Sequence, residues 1–312
     1  MTRILSYNIL MGGYSKRDGS VTRAEQIAKI ISSRNPDIVG LVEANSERVV
    51  QELAERLEMR YLMSNTPKSI MDWQVALLTR LPIIESHTHS DPAKLIKPTL
   101  EVTLEEANGQ QITAFVTHLS AAFSQGWAGS GLRGREVKEL LVRMSARQGT
   151  PHLIMGDFNE MAPGDLFQAT NLLSYVIKLD SQRVVNKAML EGHPHLDYVV
   201  PKQLRPMLEP ILQSLPENPL FQAIFNQVAG IYAPRQDIGK LLKAGYVDCF
   251  RTRNPRAKGF SCPAAQPAGR IDYIFANPEL ATRLRDCDIV LEGNGIRADT
   301  ASDHLPIWAD FA

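Results

Sequence analysis

His152-Leu153-Ile154-Met155-Gly156-Asp157-Phe158-Asn159-Glu160 is the stretch from which the rest of the chain is read. An apolar run of strand type stops at a glycine, and an acid and an amide follow at alternate positions. Side chains two apart on an extended chain point the same way. Asp157 and Asn159 are therefore expected to face whatever lies beyond the strand's C-terminal end. In layered α/β proteins that edge is where sites are built. Gly156 suits a tight turn or a close backbone approach to a ligand. A strand that merely ends in a polar turn would look the same, so the stretch needs support from elsewhere.

Five other segments supply it. Ile4-Leu5-Ser6-Tyr7-Asn8-Ile9 places Asn8 on a strand among the first ten residues. Asp37-Ile38-Val39-Gly40-Leu41-Val42-Glu43 ends an apolar run on a carboxylate, and Phe115-Val116-Thr117-His118-Leu119 ends one on an imidazole. Arg270-Ile271-Asp272-Tyr273-Ile274-Phe275 sets an acid in a strand, and Ser302-Asp303-His304-Leu305-Pro306 closes the set. In this order the six segments resemble the endonuclease/exonuclease/phosphatase superfamily of metal-dependent phosphoesterases, from residue 3 to residue 311. Thr117-His118-Leu119 is most similar to the deoxyribonuclease, sphingomyelinase and deadenylase branches. Gly245-Tyr246-Val247-Asp248-Cys249-Phe250 resembles the segment that precedes the buried-acid strand in abasic-site nucleases.

The resemblance implies an α/β four-layer sandwich: two mixed β-sheets packed face to face, with helices on the outer faces. It assigns Glu43 to a divalent metal, Mg²⁺ with Mn²⁺ as a substitute, and puts Asn8 and Asp303 close to that ion. Hard oxygen ligands of this kind suit Mg²⁺, which takes one or two carboxylates and keeps waters. His304 becomes the general base, since an imidazole works near neutral pH. Asp272 becomes its partner, which explains an acid in a strand where an unpaired carboxylate would be costly. Asp157 would orient the water, while Asn159 and His118 donate to phosphate oxygens. Arg270 and Trp127 are the candidate substrate contacts, Trp127 in a loop at residues 120–131. A second match to the buried-acid pattern, Leu196-Asp197-Tyr198 beside His193 and His195, is rejected in favour of Asp272 on motif order. His87, His89 and His152 are left as structural or surface residues.

The expected activity is phosphodiester hydrolysis by water activated by an Asp–His pair, nuclease-like. Two alternatives stand beside it: a hydrolase of phospholipid headgroups or small phosphate esters, and a catalytically silent binding module. The chain has 312 residues, 44% hydrophobic and 22% charged, with zero formal net charge and a pI near 7.1. That balance denies it a global positive field for gripping duplex nucleic acid, leaving only local patches. Two are visible, Arg251/Arg253/Arg256/Lys258 and Arg133/Arg135/Lys138/Arg143/Arg147, and either also reads as a solvated face. Three widely spaced cysteines, Cys249, Cys262 and Cys287, read as reduced thiols of a cytoplasmic protein. No run reaches the ~20 apolar residues of a membrane span, and no protein partner is indicated.

Because motifs from both ends must meet, residues 1–312 are expected to form a single domain. A helical, proline-rich insertion is expected at about residues 165–235, including a helix at Leu220–Ile231. Thr22 with Glu25 predicts a capping box ahead of a first helix. Val49, Val50, Leu53 and Leu57 predict a second, and Val137, Leu140, Leu141 and Met144 predict a third over Arg135–Arg147. Strands are expected at Gln74–Thr79, Leu100–Leu104 and Ile112–Thr117, with Asn108-Gly109 turning a hairpin.

Overall fold

A computed structural model describes residues 1–14, 21–65, 73–121, 127–185 and 218–312. In chain order the strands are β1 (Thr2–Asn8), β2 (Ile38–Val42), β3 (Arg60–Met63), β4 (Val75–Thr79), β5 (Ile83–Asp91), β6 (Leu95–Glu105) and β7 (Gln111–His118). Then come β8 (His152–Asp157), β9 (Val247–Asp248), β10 (Asp272–Ala276), β11 (Leu284–Ile289), a small hairpin β12 (Glu292–Gly293) and β13 (Ile296–Arg297), and β14 (Ile307–Phe311). One six-stranded sheet has the order β11-β14-β1-β2-β4-β3, the other β5-β6-β7-β8-β10-β9. Each is mixed: β1/β2 and β7/β8 are parallel and their other ladders antiparallel.

The period of two along the strands builds the layers. Val116, Met155 and Ile274 point inward and join Leu5, Leu41 and Leu77 of the first sheet in one core. Their neighbours Phe115, Ile154, Tyr273 and Phe275 point outward and pack on Val137, Leu140 and Met144 of helix α3 (Trp127–Ser145) and on Ile238 and Leu241 of the helix Gln236–Lys243. Helices α1 (Ala24–Ser32) and α2 (Glu47–Leu57) cover the first sheet with Ile27, Ile31, Val49 and Leu53. The result is the expected four-layer α/β sandwich. Strands buried on both faces read as continuous apolar runs, as β2 and β4 do. The sheets meet closely: a Cβ on Gly40 of β2 would lie 2.7 Å from Met155 Cε of β8.

Several local expectations change. The Thr22/Glu25 box does not form; Thr22 bridges Tyr14, and α1 starts after Arg23, whose guanidinium instead binds the carbonyls of Ile9, Leu10, Tyr14 and Ala301. Helix α3 begins at Trp127, eight residues earlier than expected, so residues 127–131 are not loop. Strand β5 was not expected at all, because an edge strand needs little apolar sequence and this one is largely exposed and polar. The helix expected at Leu220–Ile231 is present as Pro219–Tyr232.

The register places the candidate site. His118, Asp157 and Asp272 lie side by side across β7, β8 and β10. In the other sheet Asn8 sits opposite Val42, immediately before Glu43, while Asp303 and His304 lead into β14, whose Ile307 faces Ser6. Both parallel pairs thus deliver their side chains to one edge. Gly156 serves this register. At φ +144° it lies so close to β7 that a Cβ would overlap the Thr117 carbonyl oxygen and sit 2.9 Å from its carbon. Substitution Gly156→Ala is expected to lower the unfolding free energy by more than about 3 kcal/mol, because rigid backbone cannot yield. Urea unfolding measures this, and near wild-type stability would contradict the close approach.

Candidate active site

Asp157 ends β8 and is 2% exposed. Its Oδ1 accepts the Asn159 backbone N–H at 2.8 Å. Its Oδ2 accepts from Asn8 Nδ2 at 3.2 Å and Asn159 Nδ2 at 3.3 Å, and His118 Nε2 and His304 Nε2 lie 3.6 and 3.8 Å from it. Asn159 achieves this in a left-handed conformation, φ +51°, which asparagine tolerates better than most residues. Its Nδ2 also donates to the Leu119 carbonyl at 2.9 Å.

His304 Nδ1 lies 2.9 Å from Asp272 Oδ2. Asp272 begins β10 at 2% exposure, and the Ser261 hydroxyl accepts its backbone N–H and that of Ile271. A carboxylate on Nδ1 fixes a proton there and so sets the tautomer of the neutral ring. Nε2 is the nitrogen turned toward Asp157.

Glu43 is half-buried at φ +56°, with Oε2 accepting the Met11 N–H at 2.8 Å and Oε1 accepting Asn8 Nδ2 at 3.2 Å. Asn8 therefore bridges Glu43 and Asp157, while its Oδ1 accepts the Leu10 N–H at 3.0 Å. Asp303 joins this end through Ser302, whose hydroxyl donates to the Asn8 carbonyl at 2.7 Å and lies 3.5 Å from Asp303 Oδ1. The eight expected catalytic and metal-side residues thus converge.

Burial pushes the Asp157 carboxyl up to about 7, with Asp272 adding to the effect and His304 and Lys97 opposing it. Burial alone would lower His304, but Asp272, with Cys262 and Asp157, outweighs it and holds the imidazole well above its usual value. His118 goes the other way: burial first, then the charges of Lys97 and His304, keep it neutral. Its Nδ1 is buried without a hydrogen-bond partner.

Lys97 was not expected in this site. It is 8% exposed on β6, donates to the Leu119 carbonyl at 3.1 Å, and lies 4.4 Å from the centroid of Trp73. Trp73 meets His118 edge-on at 5.3 Å. Burial lowers the Lys97 ammonium to about 8, against the pull of Asp157, Glu43 and Glu136. The one sequence signal was a lysine inside the strand run Leu95-Ile96-Lys97-Pro98.

The two substrate-contact expectations fare differently. Arg270 is a correction: it is 0% exposed, with its guanidinium bound bidentately by Asp248 at 2.8 and 2.6 Å and by Asp165 at 2.9 Å. It holds the interior together and does not face substrate. Residues 122–126, the Trp127 side chain, and the rejected Asp197, His193 and His195 lie outside the described residues. His89 pairs with Glu101, and His152 bonds Thr150 and Tyr246, as structural residues do. In the basic cluster at 251–258, Arg251 is tied to Asp165 and to three carbonyls.

The donor set fits a hard divalent cation. Glu43, Asp303, Asp157 and Asn8 offer carboxylate and amide oxygens at one edge. Among the described residues, Asp157, Asp272 and His304 also place ligand atoms within 4.8 Å of one another. The 2.9 Å hydrogen bond between Asp272 and His304 already engages two of those three residues.

The model of the family described as "Endonuclease/Exonuclease/phosphatase family" matches residues 5–304. No curated protein matches the chain significantly. Among solved structures the fold is similar to an AP endonuclease from Archaeoglobus fulgidus at 16% identity and TM-score 0.62, covering 100% of this chain and 99% of that one. It is also similar to an endonuclease/exonuclease/phosphatase from Beutenbergia cavernae at 17% identity and TM-score 0.60, covering 99% of this chain and 70% of that one. A 3′-5′ exonuclease from Neisseria meningitidis matches at 15% identity and TM-score 0.60, covering 99% of each chain.

The electrostatics predict a stability profile. An acid raised by burial binds its proton more readily in the folded state, so its contribution falls as pH rises from its unfolded value through about 7. The raised His304 acts in the same sense: its stabilisation is complete below the unfolded value and is lost as pH climbs through the folded one. His118, lowered by burial, acts in the opposite sense over the same range, so the expected drop in melting temperature, measured in chelator between about pH 5 and pH 8.5, is read against Asp157→Asn. Asp157→Asn should flatten that drop by stabilising the alkaline side; parallel melting curves would contradict the buried charge at Asp157.

Proposed function

The chain belongs to the endonuclease/exonuclease/phosphatase family of phosphate-ester hydrolases, and we propose that it is a divalent-metal-dependent phosphodiesterase acting on nucleic acid. The observation that carries this reading is the His304–Asp272 pair at 2.9 Å with Nε2 turned toward Asp157. A phosphodiester resists hydrolysis because its charge repels hydroxide, so catalysis needs a positioned base and donors for the charge that develops.

In this reading His304 Nε2 takes the proton of the attacking water. Asp272 holds Nδ1–H and stabilises the imidazolium. Asp157 orients the water through Oδ2. The Asn159 amide and the neutral His118 ring donate to phosphate oxygens, and Lys97 supplies positive charge behind them. Glu43, with Asn8 and Asp303, would hold Mg²⁺ or Mn²⁺; when bound, the ion screens the phosphate and disfavours the imidazolium of His304.

Nucleic acid is favoured as substrate by the fold's likeness to an AP endonuclease and a 3′-5′ exonuclease. A further similar structure is that of a Neisseria 3′ phosphatase bound to a product DNA hairpin. No helix among the described residues is long and apolar enough to cross a membrane. The free thiols of Cys249, Cys262 and Cys287 support a reducing, cytoplasmic setting.

Residues 1–312 are read as one domain with an insertion at about 165–235. Pairing of β1 with β14 supports this, since it joins the chain's two ends. Within the insertion, helix α4 (Ala169–Val185) packs on Pro219–Tyr232 through Leu173, Val176 and Phe225. It borders the site: burial, and then the charge of Asp303, raises the Tyr175 phenol.

His304→Ala is expected to reduce kcat on a DNA oligonucleotide by about 10³-fold or more, measured where circular dichroism shows the variant folded. Turnover within about tenfold of wild type would sink the assignment of His304 as base.

A further inference from the structure

We propose that Arg133 is a positioning residue of this site, acting through Asn159. The inference rests on the reading of Asn159 as a phosphate contact. Arg133 lies on α3 and is 0% exposed, so it touches neither solvent nor substrate. A buried guanidinium is costly unless it is paired; here Nη1 and Nη2 are hydrogen-bonded, while Nε has only an ion-pair contact. Nη1 donates to the Asn159 carbonyl at 3.0 Å and to the Ser120 carbonyl at 3.2 Å. Nη2 donates to Glu160 Oε1 at 3.1 Å, and Nε lies 3.4 Å from Asp237 Oδ2.

One side chain thus ties the loop after β7, which follows His118, to the loop after β8, which carries Asn159. Glu136, one turn along the same helix, completes the grip by accepting the Ser120 N–H at 2.9 Å and hydroxyl at 2.8 Å. Asn159 gains from such holding, because its φ of +51°, though tolerated by asparagine, is less populated than the right-handed and extended regions. Two restraints come from inside the site, from Asp157 and the Leu119 carbonyl. Arg133 supplies the third from behind. The same arginine reaches Glu160, whose Oε2 accepts the N–H groups of Asp237 and Ile238 at 2.8 Å and so seats the helix Gln236–Lys243 against that loop. A planar fork can span two carbonyls and a carboxylate at once; a lysine ammonium cannot.

The test compares wild type, Arg133→Lys, Asn159→Ala and the double variant, by Mg²⁺-dependent cleavage of a DNA oligonucleotide and by backbone hydrogen exchange. Lysine keeps the charge that Glu160 and Asp237 require, so the variant is expected to fold where Arg133→Met would fail. Arg133→Lys should lower kcat by about tenfold or more and leave KM within about twofold. In the Asn159→Ala background the same change should cost less than about threefold. Exchange should quicken selectively at residues 119–121 and 158–161. Additive losses, an unchanged kcat, or a uniform rise in exchange would overturn the proposal and leave Arg133 a general packing residue. If the wild type cleaves nothing, the phosphodiesterase reading fails instead, and the exchange pattern still decides whether Arg133 anchors the Asn159 loop.

Discussion

Asp157 is one carboxylate that two sheets must share. Asn8 reaches it from the first sheet, His118 and Asn159 from the second, and His304 from the segment that leads back into the first. A carboxylate at 2% exposure is costly to ionise, and burial accordingly pushes it up to about 7. That cost is tolerable only if the donors arrive together, and this requires the two sheets to stack in one register. The close approach of Gly40 to Met155, and of Gly156 to Thr117, belongs to the same constraint. Packing, register and site chemistry are therefore one problem with one solution.

Much of this was legible in the sequence, for a physical reason. Strands buried on both faces are written as apolar runs, and a polar residue at the end of such a run has few structural reasons to be there. Four runs end that way, at Asn8, Glu43, His118 and Asp157, while Asp272 opens a strand and His304 precedes one; the order of all six segments, through the family resemblance, marked these residues as ones that meet. What stayed hidden depends on tertiary contact. Strand β5 carries no apolar signature because it lies at a sheet edge. The capping box at Thr22 lost to a bridge and to an arginine that binds backbone carbonyls. Arg270 and Arg133 look in sequence like residues for substrate or solvent, and both are interior cations neutralised by partners distant along the chain. Lys97 is the converse: an interior lysine whose neighbours make it part of the site.

The charges divide into two groups with different tasks. Asp272 and His304 form a hydrogen-bonded pair that holds a proton. Glu43, pinned by the Met11 N–H and by Asn8, keeps a half-buried carboxylate at the edge, where a cation of the size and hardness of Mg²⁺ would be drawn. Asn8 lies between the groups, and its two hydrogen bonds hold Glu43 against Asp157.

Metal-assisted hydrolysis with Glu43 as the seat is tested most directly by the cleavage rate of a DNA oligonucleotide against free Mg²⁺, for wild type and Glu43→Gln. The expected result is saturable, chelator-reversible cleavage, with the variant's midpoint shifted to about tenfold or more higher Mg²⁺. Cleavage that ignores chelator, or identical Mg²⁺ titrations for the two proteins, would contradict it.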